Sequence, residues 1–211
     1  MHIPDGFLDA KVWATMDLVS AGIVVYAVKK TNKTIEERQI PLMGVMGAFI
    51  FAAQMLNFPV AGGTSGHLIG GVLAAVLLGP WAATLVMTAI LMVQCFLFQD
   101  GGLTALGANV FNMGILATIV GYAVYRQLER AIGGEKGRFI GIFMASWLSV
   151  MLSAVCCAIQ LGLSGTTPLN VALPAMVGIH AIIGLFEGII TTAVIGFVKR
   201  VRPDILTFQQ A

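Results

Sequence analysis

The chain begins Met1-His2, and these two residues place an amine, an amide and an imidazole within one chelating reach. The α-amino nitrogen of Met1, the amide nitrogen of His2 and Nδ1 of the His2 ring close a five-membered and a six-membered chelate around a single ion. Such a set of nitrogens in one plane favours a metal that tolerates planar coordination and displaces an amide proton, which points to Ni(II) or Cu(II). The chemistry needs Met1 in place with its amine free, and a bulky second residue such as His2 is expected to discourage removal of Met1. A fourth nitrogen is available at His67, at the end of a loop rich in glycine and hydroxyls, Asn57 to His67. Met1, His2 and His67 are therefore the candidate metal ligands.

The elements that must position them are membrane helices. Of 211 residues 58% are hydrophobic and only 10% are charged, a balance that places the chain among integral membrane proteins. Apolar runs near 10–28, 40–56, 80–98, 107–125, 139–163 and 171–198 approach or exceed the ~17–25 residues of a spanning helix. A shorter run, 67–79, is expected to be a seventh span, shallow or tilted, with Pro80 opening the next helix. The basic residues support seven crossings, because cytoplasmic loops collect Lys and Arg. With the N-terminus outside, Lys29, Lys30, Lys33 and Arg38, then Arg126, Arg130, Lys136 and Arg138, then Lys199, Arg200 and Arg202 all fall inside, and only Lys11 lies outside. The net charge of +2 is then a topology signal and implies no nucleic-acid partner. The expectation is one all-α domain, 1–211, with the N-terminus outside and inserted toward the bundle and the C-terminus cytoplasmic. Residues 1–9 form its metal-binding segment, with a turn at Ile3-Pro4-Asp5-Gly6 and Asp9 capping the first helix. The opening residues lack the basic region and the cleavage site of a signal peptide.

Other candidates carry less. Cys95, Cys156 and Cys157 sit inside predicted spans and form no disulfide framework. His180 and Glu187 share a face of the last span, where ionisable groups suggest function; packing or coupling roles are favoured for them, at a depth that separates them from residue 1. Asp17, Gln54, Gln94 and Asn109 are candidates to orient His2 or His67, and the segment Gln99 to Asn109 offers further polar groups. The pairs Gly66/Gly70, Ala117/Gly121 and Gly184/Gly188 permit close helix approach, and internal packing is the favoured reading. The chain has no GxxxxGK[ST], HExxH or GxSxG motif, so no enzymatic activity and no catalytic cofactor are expected. A membrane enzyme or secondary transporter using His180, Glu187 and Asp100 is the competing class.

MHIPDGFL at the N-terminus, PVAGGTSGHLIGG at 59–71, GGLTALGANVFNMG at 101–114 and HAIIGLFEGIIT at 180–191 resemble the CbiM/NikM family over almost the whole chain. These are the substrate-capture (S) components of energy-coupling factor transporters for nickel and cobalt. The resemblance implies a seven-helix subunit of a bacterial or archaeal cytoplasmic membrane whose N-terminus plugs into the bundle and binds the ion through Met1, His2 and His67. It also implies a transmembrane coupling (T) subunit, ABC-type ATPases and a small accessory membrane subunit as partners. Nickel is the expected substrate, on the strength of the planar nitrogen set, with cobalt the alternative.

Overall fold

A computed structural model describes residues 1–60 and 64–207; Ala61, Gly62 and Gly63 of the glycine-rich loop lie outside the described residues. The described elements are α1 (Ala10–Thr34), α2 (Gln39–Gln54), a short antiparallel hairpin of β1 (Phe58–Val60) and β2 (Thr64–Gly66), α3 (Gly71–Leu78), α4 (Pro80–Phe98), α5 (Leu106–Ile132), α6 (Gly134–Leu163), α7 (Leu169–Val201) and α8 (Pro203–Thr207). Five of these helices, α1, α4, α5, α6 and α7, are long and apolar enough to cross a bilayer, and α2 is a shorter apolar helix. The protein is a multi-pass, mainly helical membrane protein. Asp9 caps α1 by accepting from the Lys11 N–H at 2.9 Å, and Pro80 occupies the first turn of α4, as the sequence predicts.

The predicted span over 67–79 takes a different form. Only Gly71–Leu78 is helical, ~12 Å at 1.5 Å per residue, against a hydrocarbon thickness of ~30 Å. Gly70 and Gly79 bound it, both at positive φ, 79° and 83°. The preceding residues, from β2 through Leu68, carry no helical turns, yet Leu78 and Gly79 reach the end of the bundle where α1 finishes and α2 starts, beside Ile35 and Gln39. The crossing is half helix and half non-helical chain. Unpaired backbone at that depth is tolerated only where protein satisfies it. Glu187 does so, its two carboxylate oxygens accepting from the N–H groups of Ile69 (2.6 Å) and Gly70 (2.8 Å), while Gln54 Nε2 donates to the Ile69 carbonyl at 2.7 Å.

Small residues let the other helices close around this broken crossing. A Cβ on Gly71 would stand 2.5 Å from the Ala117 side chain, and one on Gly121 would meet the Val72 side chain at 2.6 Å, so the two glycines let α3 and α5 pack closely. Gly184 and Gly188 lie against Trp147 and Phe143 of α6, which makes them internal packing positions. Gly66 and Gly70 belong to the hairpin and the turn after it and form no helical pair. Within α5 the stretch Val110–Val120 is π-helical, an arrangement that is rare beyond a single turn and common near functional sites. At the end of the bundle away from the N-terminus, Glu129 accepts from Arg126 and Arg138, both at 2.9 Å, and Lys199 pairs with Glu135. These pairs tie the ends of α5, α6 and α7 together.

Candidate metal centre

Residues 1–8 form a strap that enters the bundle. Met1 and Ile3 are fully buried and His2 is 4% exposed; burying two such apolar side chains stabilises the insertion by ~1.5–3 kcal/mol each. Asn109 fixes the backbone of Ile3 in the manner of a paired strand, its Oδ1 accepting from the Ile3 N–H at 2.9 Å and its Nδ2 donating to the Ile3 carbonyl at 3.1 Å, where Gly102 N–H also donates. Asp5 accepts from the N–H groups of Leu103 and Thr104 and from the Thr104 hydroxyl. The next residue, Gly6, turns the chain at φ 81°. Thr166 donates its hydroxyl to the Phe7 carbonyl. The strap is thereby held at both ends, by the α4–α5 loop and by the α6–α7 loop.

This arrangement brings Met1, His2 and His67 together. The Met1 nitrogen stands 2.9 Å from His67 Nε2, and the rings of His2 and His67 stack with centroids 4.6 Å apart and planes at 26°. His67 Nδ1 lies 2.7 Å from the Leu68 carbonyl and donates to it, so Nε2 presents its lone pair to the amine. His2 Nε2 lies 3.0 Å from Gln94 Oε1 and donates there; Gln94 Nε2 in turn donates to Gln54 Oε1 at 2.9 Å, and Gln54 to Ile69. That relay assigns the proton of His2 to Nε2 and leaves the lone pair on Nδ1. Nδ1 is buried without a hydrogen-bond partner, which is costly for a polar atom unless something else occupies its lone pair. Ser65 receives the remaining protons: its carbonyl accepts from the Met1 nitrogen, and its hydroxyl lies 3.2 Å from that nitrogen and 3.3 Å from the His2 amide.

The electrostatics suit a cation. Burial lowers the Met1 amine to about 5, against smaller opposing influences of Cys157 and Asp100. Burial, and then the charge of the adjacent amine, lower His2 to about 3 against the Gln94 hydrogen bond. The charged forms of the Met1 amine and of His2 are thus disfavoured, which keeps their lone pairs available. Among the described residues no group of three or more His, Cys, Asp or Glu side chains converges; the nitrogens gathered here are the Met1 amine, the His2 amide and the rings of His2 and His67.

The other sequence candidates divide. Gln94 and Gln54 orient His2, as their positions suggest, whereas Asn109 holds the strap and Asp17 accepts from the Gly107 N–H at 2.7 Å. His180 and Glu187 do not pair with each other. His180 Nδ1 contacts the Met176 carbonyl at 2.7 Å and Nε2 is buried without a partner. Sequence reasoning missed Ser65; the signal was a hydroxyl two residues before His67 in a glycine-rich loop. It also missed Glu187 as the anchor of the chain that carries His67.

Several known proteins are similar to this chain. A putative fused nickel transport protein of Archaeoglobus fulgidus is 43% identical over 208 residues, 98% of this chain and 68% of that protein. A putative metal transport protein of Haloquadratum walsbyi is 40% identical over 99% of this chain and 94% of its own length. The crystal structure of a truncated transition metal transporter superposes with a TM-score of 0.88 at 36% identity, covering 95% of this chain and 99% of that one. Residues 2–205 match the family described as the cobalt uptake substrate-specific transmembrane region, and the chain belongs to that family, CbiM.

Proposed function

We propose that this chain is the substrate-capture subunit of an ATP-driven importer of a divalent transition-metal ion, and that the ion is held by the Met1 amine, the His2 amide nitrogen, His2 Nδ1 and His67 Nε2. The observation that carries this reading is the buried, unpartnered Nδ1 of His2 beside a Met1 nitrogen 2.9 Å from His67 Nε2. Four nitrogens, one of them an amidate, suit nickel in a planar site, and nickel is the substrate proposed. The family description, which names cobalt uptake, keeps cobalt as the second reading.

Uphill transport requires partners, since the chain carries no phosphate-binding loop. A transmembrane coupling subunit and ABC-type ATPases, with a small accessory membrane subunit, supply the energy, and the strap faces the outside so that ions arrive at Asp100 and His2. Metal analysis of the purified chain grown with nickel and cobalt together tests the substrate: one nickel per chain is expected, and a chain filled with cobalt under equal supply overturns the choice. Vesicles holding the chain alone should not concentrate nickel, whereas vesicles that add the coupling and ATPase subunits with ATP should. Robust accumulation by the chain alone would replace this reading with a secondary transporter.

A further inference from the structure

The nitrogen set of the proposed site carries too little negative charge for its cargo. A divalent ion bound by a neutral amine, two neutral imidazoles and one amidate leaves a net charge of one inside the bundle, and an uncompensated buried charge is strongly disfavoured. The carboxylates near the strap are already engaged: Glu187 by the N–H groups of Ile69 and Gly70, Asp5 by Leu103 and Thr104, and Asp17 by Gly107. Asp100 differs. Its Oδ1 lies 3.3 Å from His2 Nδ1, its Oδ2 accepts from Asn57 Nδ2 at 3.1 Å, and its side chain is 20% exposed where that of His2 is 3%.

The contact between Asp100 and His2 is itself informative. Because the proton of His2 is committed to Gln94 through Nε2, Nδ1 and the carboxylate oxygen face each other as two acceptors with no hydrogen between them. A cation resolves that opposition. Bonds of about 2.0–2.1 Å to a first-row ion span a nitrogen and an oxygen held 3.3 Å apart.

We infer that Asp100 is an outer capture ligand: it takes a hydrated divalent transition-metal cation from the outer face, passes it to His2 Nδ1, and neutralises the filled nitrogen site. The inference rests on the chelate reading above and adds to it the residue that sets the rate of loading and the preference for divalent charge. Asn57 holds the free carboxylate in place through Oδ2, leaving Oδ1 for the ion.

The test uses the purified full chain and NiCl2, with stopped-flow absorption following nickel binding across a range of ionic strength. Asp100→Asn keeps the size of the side chain and should slow association by about tenfold or more, the lower range of electrostatic steering, and should flatten its dependence on salt. Asp100→Glu should restore both. A wild-type rate and salt slope in Asp100→Asn overturns the inference. Should the variant not fold, the wild-type chain decides alone, since capture by a carboxylate requires association to slow as salt rises, and a salt-independent rate overturns it. His2→Ala measured alongside separates the two ideas: nickel bound at full affinity by His2→Ala removes the chelate itself, whereas loss in His2→Ala with no effect in Asp100→Asn removes only the role given to Asp100.

Discussion

Gln94→Leu should weaken nickel binding without touching a ligand. In the wild-type chain Gln94 accepts the His2 Nε2–H at 3.0 Å and is itself held by Gln54 at 2.9 Å, both contacts buried. Leucine removes the acceptor. In the metal-free variant His2 can answer by moving its proton to Nδ1, where Asp100 waits at 3.3 Å, so the empty state recovers most of what it lost. The loaded state has no such escape, because Nδ1 then holds the ion and the Nε2–H stays orphaned. An unsatisfied buried donor costs ~1–3 kcal/mol, and nearly all of it falls on the bound state, so affinity should drop ~10–100-fold, the range seen when partners of metal-bound histidines are removed. Equilibrium competition against a chelator of known nickel affinity reads the change, with thermal melting of the metal-free chain as a control. A loss smaller than about twofold in a chain that still binds through His2 would refute the tautomer argument.

Acidification should release nickel in two regimes. The Met1 amine is lowered to about 5 and His2 to about 3, so above pH 5 the only proton displaced is that of the His2 amide and affinity should rise about tenfold per pH unit, steepening to about a hundredfold per unit below 5 as the amine also charges; a titration flat between pH 6 and 8 would exclude the amide as a ligand. Gly102→Ala should unseat the strap, since the added Cβ would lie 2.7 Å from the Pro4 carbonyl carbon and against Asp5, an overlap worth ~1–3 kcal/mol; the expected result is reduced nickel occupancy in a folded chain, measured by metal analysis after gel filtration. His67→Ala should abolish high-affinity binding whereas His180→Ala leaves it intact and impairs transport, and equal loss of binding in both would misplace the site.

The membrane class and the long helices were legible because apolar runs report spans, and Met1 and His2 stood out because their nitrogens lie within two adjacent residues; their meeting with His67, 66 positions from Met1, is a tertiary contact that sequence reasoning expected only from a shared outer face and the family resemblance. Gln94 was recognisable as a polar group near the outer end of a span, although its step through Gln54 to Ile69 depends on how three separate elements meet. The crossing at 67–79 misled because hydropathy measures burial and is blind to backbone form. Gly70 and Gly79 at positive φ confine the helix to eight residues, and the Ile69 and Gly70 amides left over are satisfied by a carboxylate more than a hundred residues away. Glu187 looked like a functional group at an odd depth. It is first the acceptor that lets a broken crossing exist.

The central claim is that the nitrogen of residue 1 is a ligand, and adding a single residue before Met1 tests it most directly. The extension converts the amine that faces His67 Nε2 at 2.9 Å into an amide and leaves every side chain unchanged, while the same residue added at the C-terminus serves as the control. Nickel per folded chain, measured after purification, should fall from one to near zero for the N-terminal extension and stay at one for the C-terminal extension; stoichiometric nickel in both would contradict the account.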